Sequence, residues 1–193
     1  MAKKEEEITI KFKSLNSLSK IPEVAYGDSG CFDLVCTSCY FDRKKEVLVY
    51  GFGAAMEFPK TAVLNLFPRS SISDKDLILT NSVGQGDHNY RGEYLAKFKF
   101  TKNVDRITSV DIENGIVVGY KTTIEIVKKK FLFGLVTLDT PKYVDKEVTF
   151  NIYKIGDRIC QGRLSKVYNT KFESVNELSE TSRGTGGYGS SGN

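Results

Sequence analysis

Val47-Leu48-Val49-Tyr50-Gly51-Phe52-Gly53-Ala54-Ala55-Met56-Glu57-Phe58-Pro59, followed shortly by Ala62-Val63-Leu64-Asn65-Leu66-Phe67-Pro68, is a series of short apolar runs cut by glycine and proline. Runs of this length have the reach of strands, and Gly51, Gly53, Pro59 and Pro68 are the punctuation between them. Working outward, Ile8, Ile10 and Phe12 alternate with Thr9, Lys11 and Lys13, the period of a half-buried strand. Further strands are expected at 77–79, 94–100, 115–127, 131–138 and 148–153. Nothing long has a helical period, and a turn or two near Ser70 to Asp76 is the best helical candidate. Many short strands with turns between them predict an all-β sandwich, jelly roll or barrel.

The chain has 193 residues, which allows one domain with something extra. Its net charge of +4 is spread among well-mixed acids and bases, so no nucleic-acid surface is expected. Lys128-Lys129-Lys130 reads as a solvated face. No apolar run approaches the ~20 residues that span a bilayer, and the charged start at 1–7 is unlike a signal peptide. A cytoplasmic protein with no membrane partner is expected, in the host cytoplasm if the chain is viral. Cys36 and Cys39 have the C-x-x-C spacing of a zinc site, but no second pair follows and His88 stands far away. Free thiols are therefore expected there.

Five segments carry polar chemistry. Asp28-Ser29-Gly30-Cys31-Phe32-Asp33-Leu34 is a turn with an acid held between apolar residues. Phe67-Pro68-Arg69-Ser70-Ser71 puts a forked cation and two hydroxyls after a strand, a seat for phosphate, although an N-cap with a surface arginine would look the same. Asn81-Ser82-Val83-Gly84-Gln85-Gly86-Asp87-His88-Asn89-Tyr90-Arg91-Gly92-Glu93 reads as a hairpin whose backbone faces a ligand, with a carboxylate able to orient water. Ile155-Gly156-Asp157-Arg158-Ile159-Cys160-Gln161 is a turn entering a strand. Arg183-Gly184-Thr185-Gly186-Gly187-Tyr188-Gly189-Ser190-Ser191-Gly192 is too polar to order itself, yet offers amides, hydroxyls and an arginine to an anion.

In this order, the five segments resemble the five motifs of the trimeric deoxyuridine triphosphatase (dUTPase) family. The resemblance covers roughly 8–98 and 147–193, and the third and fifth motifs are its most specific parts. It implies a jelly-roll-like β-barrel, assembled as a homotrimer whose active sites are shared between chains. It also implies hydrolysis of dUTP to dUMP and pyrophosphate with Mg2+. By the same resemblance, Asp87 is the general base that holds the attacking water, and Tyr90 lies beneath the deoxyribose and excludes a 2′-hydroxyl. Asn81, Gly84, Gln85 and Gly86 read uracil through main-chain groups. Arg69, Ser70, Ser71 and Gln161 contact the triphosphate, and Asp33 reaches the metal through water, with magnesium held mainly by the triphosphate. Tyr188 stacks on uracil while Arg183, Ser190 and Ser191 grip the γ-phosphate. The sequence departs from the family pattern at Cys31, Ser71, Gly86, Asn89 and Tyr188. Gly86 stands where a branched aliphatic is usual, which loosens the expected hairpin.

The resulting organisation is a charged segment at 1–7, a β-barrel at 8–98 and 147–176, an inserted β-subdomain at 99–146, and a flexible C-terminal glycine-rich arm at 177–193. Within the insert, Asn114-Gly115 signals a hairpin. Phage-encoded relatives carry an insert at this place, so a phage-type member is expected. The insert reads as a β-subdomain packed on its own trimer, or as a docking surface for a protein partner if Phe131-Leu132-Phe133 is exposed. Two other functions fit parts of the pattern. A dCTP deaminase shares the Arg-Ser-Ser segment and would release ammonia from dCTP, and a nucleotide-gated binding module would work through the insert.

Overall fold

The computed structural model describes residues 7–24, 30–131, 133 and 136–185. Among these lie thirteen strands and one 3-10 turn at Ser70–Asp74, so the expected all-β class stands. The first nine strands are β1 (Lys11–Ser14), β2 (Phe32–Val35), β3 (Ser38–Asp42), β4 (Val47–Gly51), β5 (Ala54–Glu57), β6 (Ala62–Pro68), β7 (Leu77–Leu79), β8 (Gly84–Gly86) and β9 (Leu95–Phe100). The last four are β10 (Arg106–Asp111), β11 (Ile116–Phe131), β12 (Val136–Asn151) and β13 (Arg158–Lys166).

Two four-stranded sheets, in the orders β2-β13-β6-β8 and β3-β4-β9-β7, supply most of one apolar core. The pattern along each strand follows from its neighbours. In β6, Ala62, Leu64 and Leu66 point into the core while Val63 and Asn65 are only half-buried, whereas all of β4 is buried. Tyr50 anchors the centre. Its ring meets Phe98 edge-on at 5.6 Å and Tyr153 at 6.3 Å, and its hydroxyl donates to the Tyr153 carbonyl at 3.2 Å. Losing a fully buried ring such as Phe98 typically costs about 3–5 kcal/mol.

Several elements differ from the sequence expectation. The first strand begins at Lys11, because its only partner, β5, offers four positions, Ala54 to Glu57. Strand β3 was not anticipated, since polar residues interrupt its pattern. It pairs Cys39 with Tyr50 and folds the C-x-x-C pair against the core. Burial pushes the Cys36 and Cys39 thiols up to about 12, so both are protonated at neutral pH.

The stretch 131–138 is no strand of its own, because β11 ends and β12 begins inside it. These two 16-residue strands pair along their whole length, from Ile116↔Asn151 to Phe131↔Val136. β12 runs straight across position 146. Phe150, fully buried, packs on Phe100 with ring centroids 4.7 Å apart. Val117 at the base of β11 is also in the core, so the ribbon grows out of the barrel rather than beside it. At the Asn114-Gly115 hairpin, the Asn114 amide donates to Asp111 Oδ1 at 3.0 Å, and Gly115 takes φ +71°. A side chain at 115 would press on the Ile152 carbonyl, 2.9 Å from its Cβ. Beyond Arg106↔Tyr120 the ribbon has only two strands and is well exposed, including Lys128, Lys129 and Lys130. After β13 the described residues, 167–185, form no helix or strand and are exposed. No helix among the described residues is long and apolar enough to cross a membrane.

Candidate active site

Strand β13 is the organising element, because it lies between β2 and β6. Its register sets Gln161 opposite Asp33 on one side and opposite Phe67 on the other, with Cys160 opposite Pro68. Three segments far apart in sequence are thereby aligned, and their polar side chains meet. The Asp33 carboxylate, only 9% exposed, has the Arg69 Nε at 2.9 Å and the Arg158 Nη1 at 3.2 Å. The Gln161 side-chain amide donates to Asp33 Oδ1 at 3.4 Å. The Arg69 Nε lacks hydrogen-bond geometry despite its closeness, so this contact is an ion pair.

Pro68 ends β6 at this point, and the 3-10 turn that follows presents exposed Ser70 and half-buried Ser71. Ser71 Oγ lies 3.3 Å from the Tyr153 hydroxyl. The outcome is an open cleft of about 410 Å³ lined by Arg69, Ser71, Lys75, Tyr153 and Arg158. Lys75 sits over the Tyr153 ring at 5.3 Å. Three cations, Arg69, Lys75 and Arg158, thus line the cleft against one acid, Asp157, an excess of positive charge that can seat a polyanion. Arg158 was within reach of sequence reading, since it stands inside the fourth segment. Lys75 carried no local signal, because only the turn after Arg69 aims it here.

The second cleft, about 530 Å³, is lined by Asn81, Gly84, Gln85, Gly86, Asp87 and Tyr90, with Glu93, Tyr94 and Lys97 besides. The expected hairpin takes another form. β7 pairs with β9 while β8 pairs with β6, so the turn at 80–83, with Ser82 at φ +58°, carries the chain from one sheet to the other. β8 is then the edge strand of its sheet, and its outer main-chain groups have no ladder partner. Such an edge can read the donor and acceptor pattern of a flat ligand.

Exposed Asp87 follows directly, and its carbonyl accepts the Tyr90 amide at 3.0 Å, which closes the next turn. Tyr90 is 45% exposed, and its hydroxyl donates to the Glu93 carbonyl at 3.0 Å. Glu93 in turn accepts the Gly53 amide at 2.8 Å, fastening this loop to the barrel. Glu93, Tyr94 and Lys97 were not among the expected lining residues.

The two clefts share no lining residue. Arg183 lies in an exposed turn, with the Gly184 amide donating to the Thr181 carbonyl at 3.0 Å. Tyr188, Ser190 and Ser191 lie outside the described residues.

No family model matches the chain. Its similarity to curated proteins is nonetheless nearly full length. The chain is 29% identical over 189 residues to the deoxyuridine 5′-triphosphate nucleotidohydrolase of Rhodococcus erythropolis, covering 97% of this chain and 88% of that one. It is 28% identical over 187 residues to the enzyme of the same name from Clostridium acetobutylicum, covering 96% and 97%. Over nearly its whole length the chain is similar to members of the deoxyuridine triphosphatase family.

Solved structures of the family share the fold. The dUTPase of Staphylococcus bacteriophage 80alpha with dUpNHpp superposes with a TM-score of 0.61 at 20% identity, over 95% of this chain and 98% of that one. A mutant dUTPase from phage phi11 of S. aureus, described with a structural Mg(II) ion, gives 0.57 at 19% identity over 89% and 99%. A match covering 95% of the chain cannot leave out the whole of 99–146, so the likeness to the phage-type family members extends into the ribbon.

Proposed function

We propose that this chain hydrolyses dUTP to dUMP and pyrophosphate by attack of water on the α-phosphorus. The observation that carries the reading is the exposed Asp87 carboxylate at the end of an unpaired strand edge, in the same cleft as Tyr90. Uracil presents N3–H between two carbonyls, and the edge of Gly84–Gly86 is the surface that reads it. A wrong donor pattern at a fixed backbone edge leaves groups unpaired, which is how cytosine is refused. The half-exposed Tyr90 ring supports the sugar and leaves no room for a 2′-hydroxyl.

In the step itself, Asp87 accepts a proton from the water as its oxygen bonds to the α-phosphorus. The bond from that phosphorus to the bridging oxygen breaks, and pyrophosphate leaves with the electron pair. Arg69, Ser70, Ser71 and Gln161 hold the triphosphate, and Arg158 and Lys75 add positive charge to the same cleft.

The donor set around Asp33 fits a magnesium ion that arrives on the triphosphate. One carboxylate already held by two arginines can orient a coordinated water, and the described residues contain no group of three acidic, cysteine or histidine ligands. When bound there, magnesium would neutralise charge on the triphosphate and on the leaving pyrophosphate. As the family resemblance implies, a complete site joins the base-bearing cleft of one chain to the phosphate-binding cleft of another in a trimer, and the two clefts have no lining residue in common. The ribbon is read as a decoration of that trimer.

Pyrophosphate release from dUTP with magnesium is the test, run beside dCTP, dTTP and UTP. Asp87→Asn is expected to lower kcat by roughly 10²–10⁴ while dUTP still binds. Intact dUTP with the wild-type chain, or ammonia released from dCTP, would overturn the reading.

A further inference from the structure

Gly86 stands in the buried part of the edge strand that borders the Asp87 cleft. A Cβ built on it runs into the ring of Tyr94, 2.9 Å from the hydroxyl oxygen and 3.0 Å from Cζ, and nearest of all to Cε1. Side-chain carbons do not come so close, so any residue but glycine at 86 requires the ring to move. That ring is not free to swing. Tyr94 is 4% exposed, its amide donates to the Ala54 carbonyl at 3.0 Å, and its own carbonyl accepts the Phe52 amide at 3.3 Å.

The other side of the ring meets Tyr90 edge to face, with centroids 5.3 Å apart at 78°. Tyr90 is further held by the Gly92 backbone, where an added Cβ would lie 3.1 Å from Tyr90 Cε2. The 45% of Tyr90 that stays exposed is the part left for a ligand. Burial raises the Tyr94 phenol, so the brace stays neutral around pH 7.

We propose that Tyr94 is a positioning residue for the nucleoside end of the site. Its ring occupies the space that a side chain at 86 would fill, and it sets the tilt of Tyr90 that separates deoxyribose from ribose. This inference rests on the reading of Tyr90 as the support of the sugar.

The experiment compares the kcat/KM ratio for dUTP over UTP in Tyr94→Phe, Tyr94→Val, Gly86→Ile and the double variant Gly86→Ile with Tyr94→Val. Both substrates see the same active molecules, so the ratio does not depend on the fraction folded. Tyr94→Phe keeps the ring and is expected to keep the ratio. Each of Tyr94→Val and Gly86→Ile is expected to lower it by about tenfold or more. The double variant, which refills the space from the other strand, is expected to recover most of the loss.

A wild-type ratio in Tyr94→Val, or a double variant no better than the worse single one, would overturn the proposal. If the wild-type chain left dUTP intact, the reading of the activity would fall, and with it the assignment to sugar selection. The steric exchange would still be read from thermal unfolding, as a double variant more stable than the two single losses predict.

Discussion

Asp33 has a structural role in the fold and, in the proposed reading, a functional one as well. Its carboxylate is nearly buried, and it balances Arg69 and Arg158 across the seam between β2 and β13. Arg69 is 25% exposed and Arg158 57%, so solvent weakens the second pair in particular. Asp33→Asn keeps the shape and removes the charge. It is expected to cost about 1–2 kcal/mol, read as a lower urea midpoint, and to raise the magnesium concentration needed for half-maximal hydrolysis. Unchanged stability and magnesium dependence would show that the arginines need no counter-charge here.

At the scale of elements, the β11–β12 ribbon is the part of the fold with the least support. A two-stranded ribbon is marginal by itself, and past Tyr120 it loses its third strand. Ile124, Ile126 and Tyr143 are 60%, 62% and 71% exposed, so little apolar burial compensates. What ties its base is Asp145, which accepts hydrogen bonds from Thr122 Oγ1 at 2.8 Å and Arg106 Nη2 at 2.7 Å. The Thr122 hydroxyl first, and then Arg106, hold its carboxyl below the usual Asp value. A depressed folded value means that the contribution is complete above the unfolded value of about 3.9, and lost as pH falls through the folded one. Amide protection in 121–131 and 136–146 is therefore expected to drop as the pH falls below about 4, before that of β4 or β6. Asp145→Asn should remove the pH dependence; a drop that persists in the variant would assign it to other carboxylates.

For the whole molecule, the proposed sharing of each site between chains makes a sharp demand. If each site joins the Asp87 cleft of one chain to the Arg69 cleft of another, two inactive variants should rescue one another. Asp87→Asn and Arg69→Ala, mixed one to one, denatured and refolded together, are expected to recover about a quarter of the wild-type activity, since that share of sites in a random trimer has both halves intact. No recovery above the separate variants would place a complete site within a single chain. Sedimentation of the mixture checks the trimer independently.

Much of this was legible along the chain, because local chemistry is written locally. The apolar runs at 47–58 and 62–67 and the glycines and prolines between them dictated an all-β chain, and residues of Pro-Arg-Ser-Ser and of the Gly-x-x-Asp-x-x-Tyr stretch line the two clefts. Of the residues expected around the triphosphate and metal, Asp33, Arg69 and Gln161 meet and Ser71 shares a cleft with Arg69, while Ser70 is exposed on the turn beside it. Asn81, Gly84–Gly86, Asp87 and Tyr90 line one cleft, although Asn81 lies on a turn between sheets and Gly84–Gly86 form an edge strand rather than half of a hairpin. The tertiary structure alone decided which strand lies beside which. Long-range pairing made β13 the seam of the phosphate cleft, left β8 as an edge, and laid the ring of residue 94 over residue 86. The reversal between β11 and β12 likewise fell where the apolar pattern read as a strand. A periodic pattern fixes which side of a strand is apolar; it carries no information about the partner that will cover it.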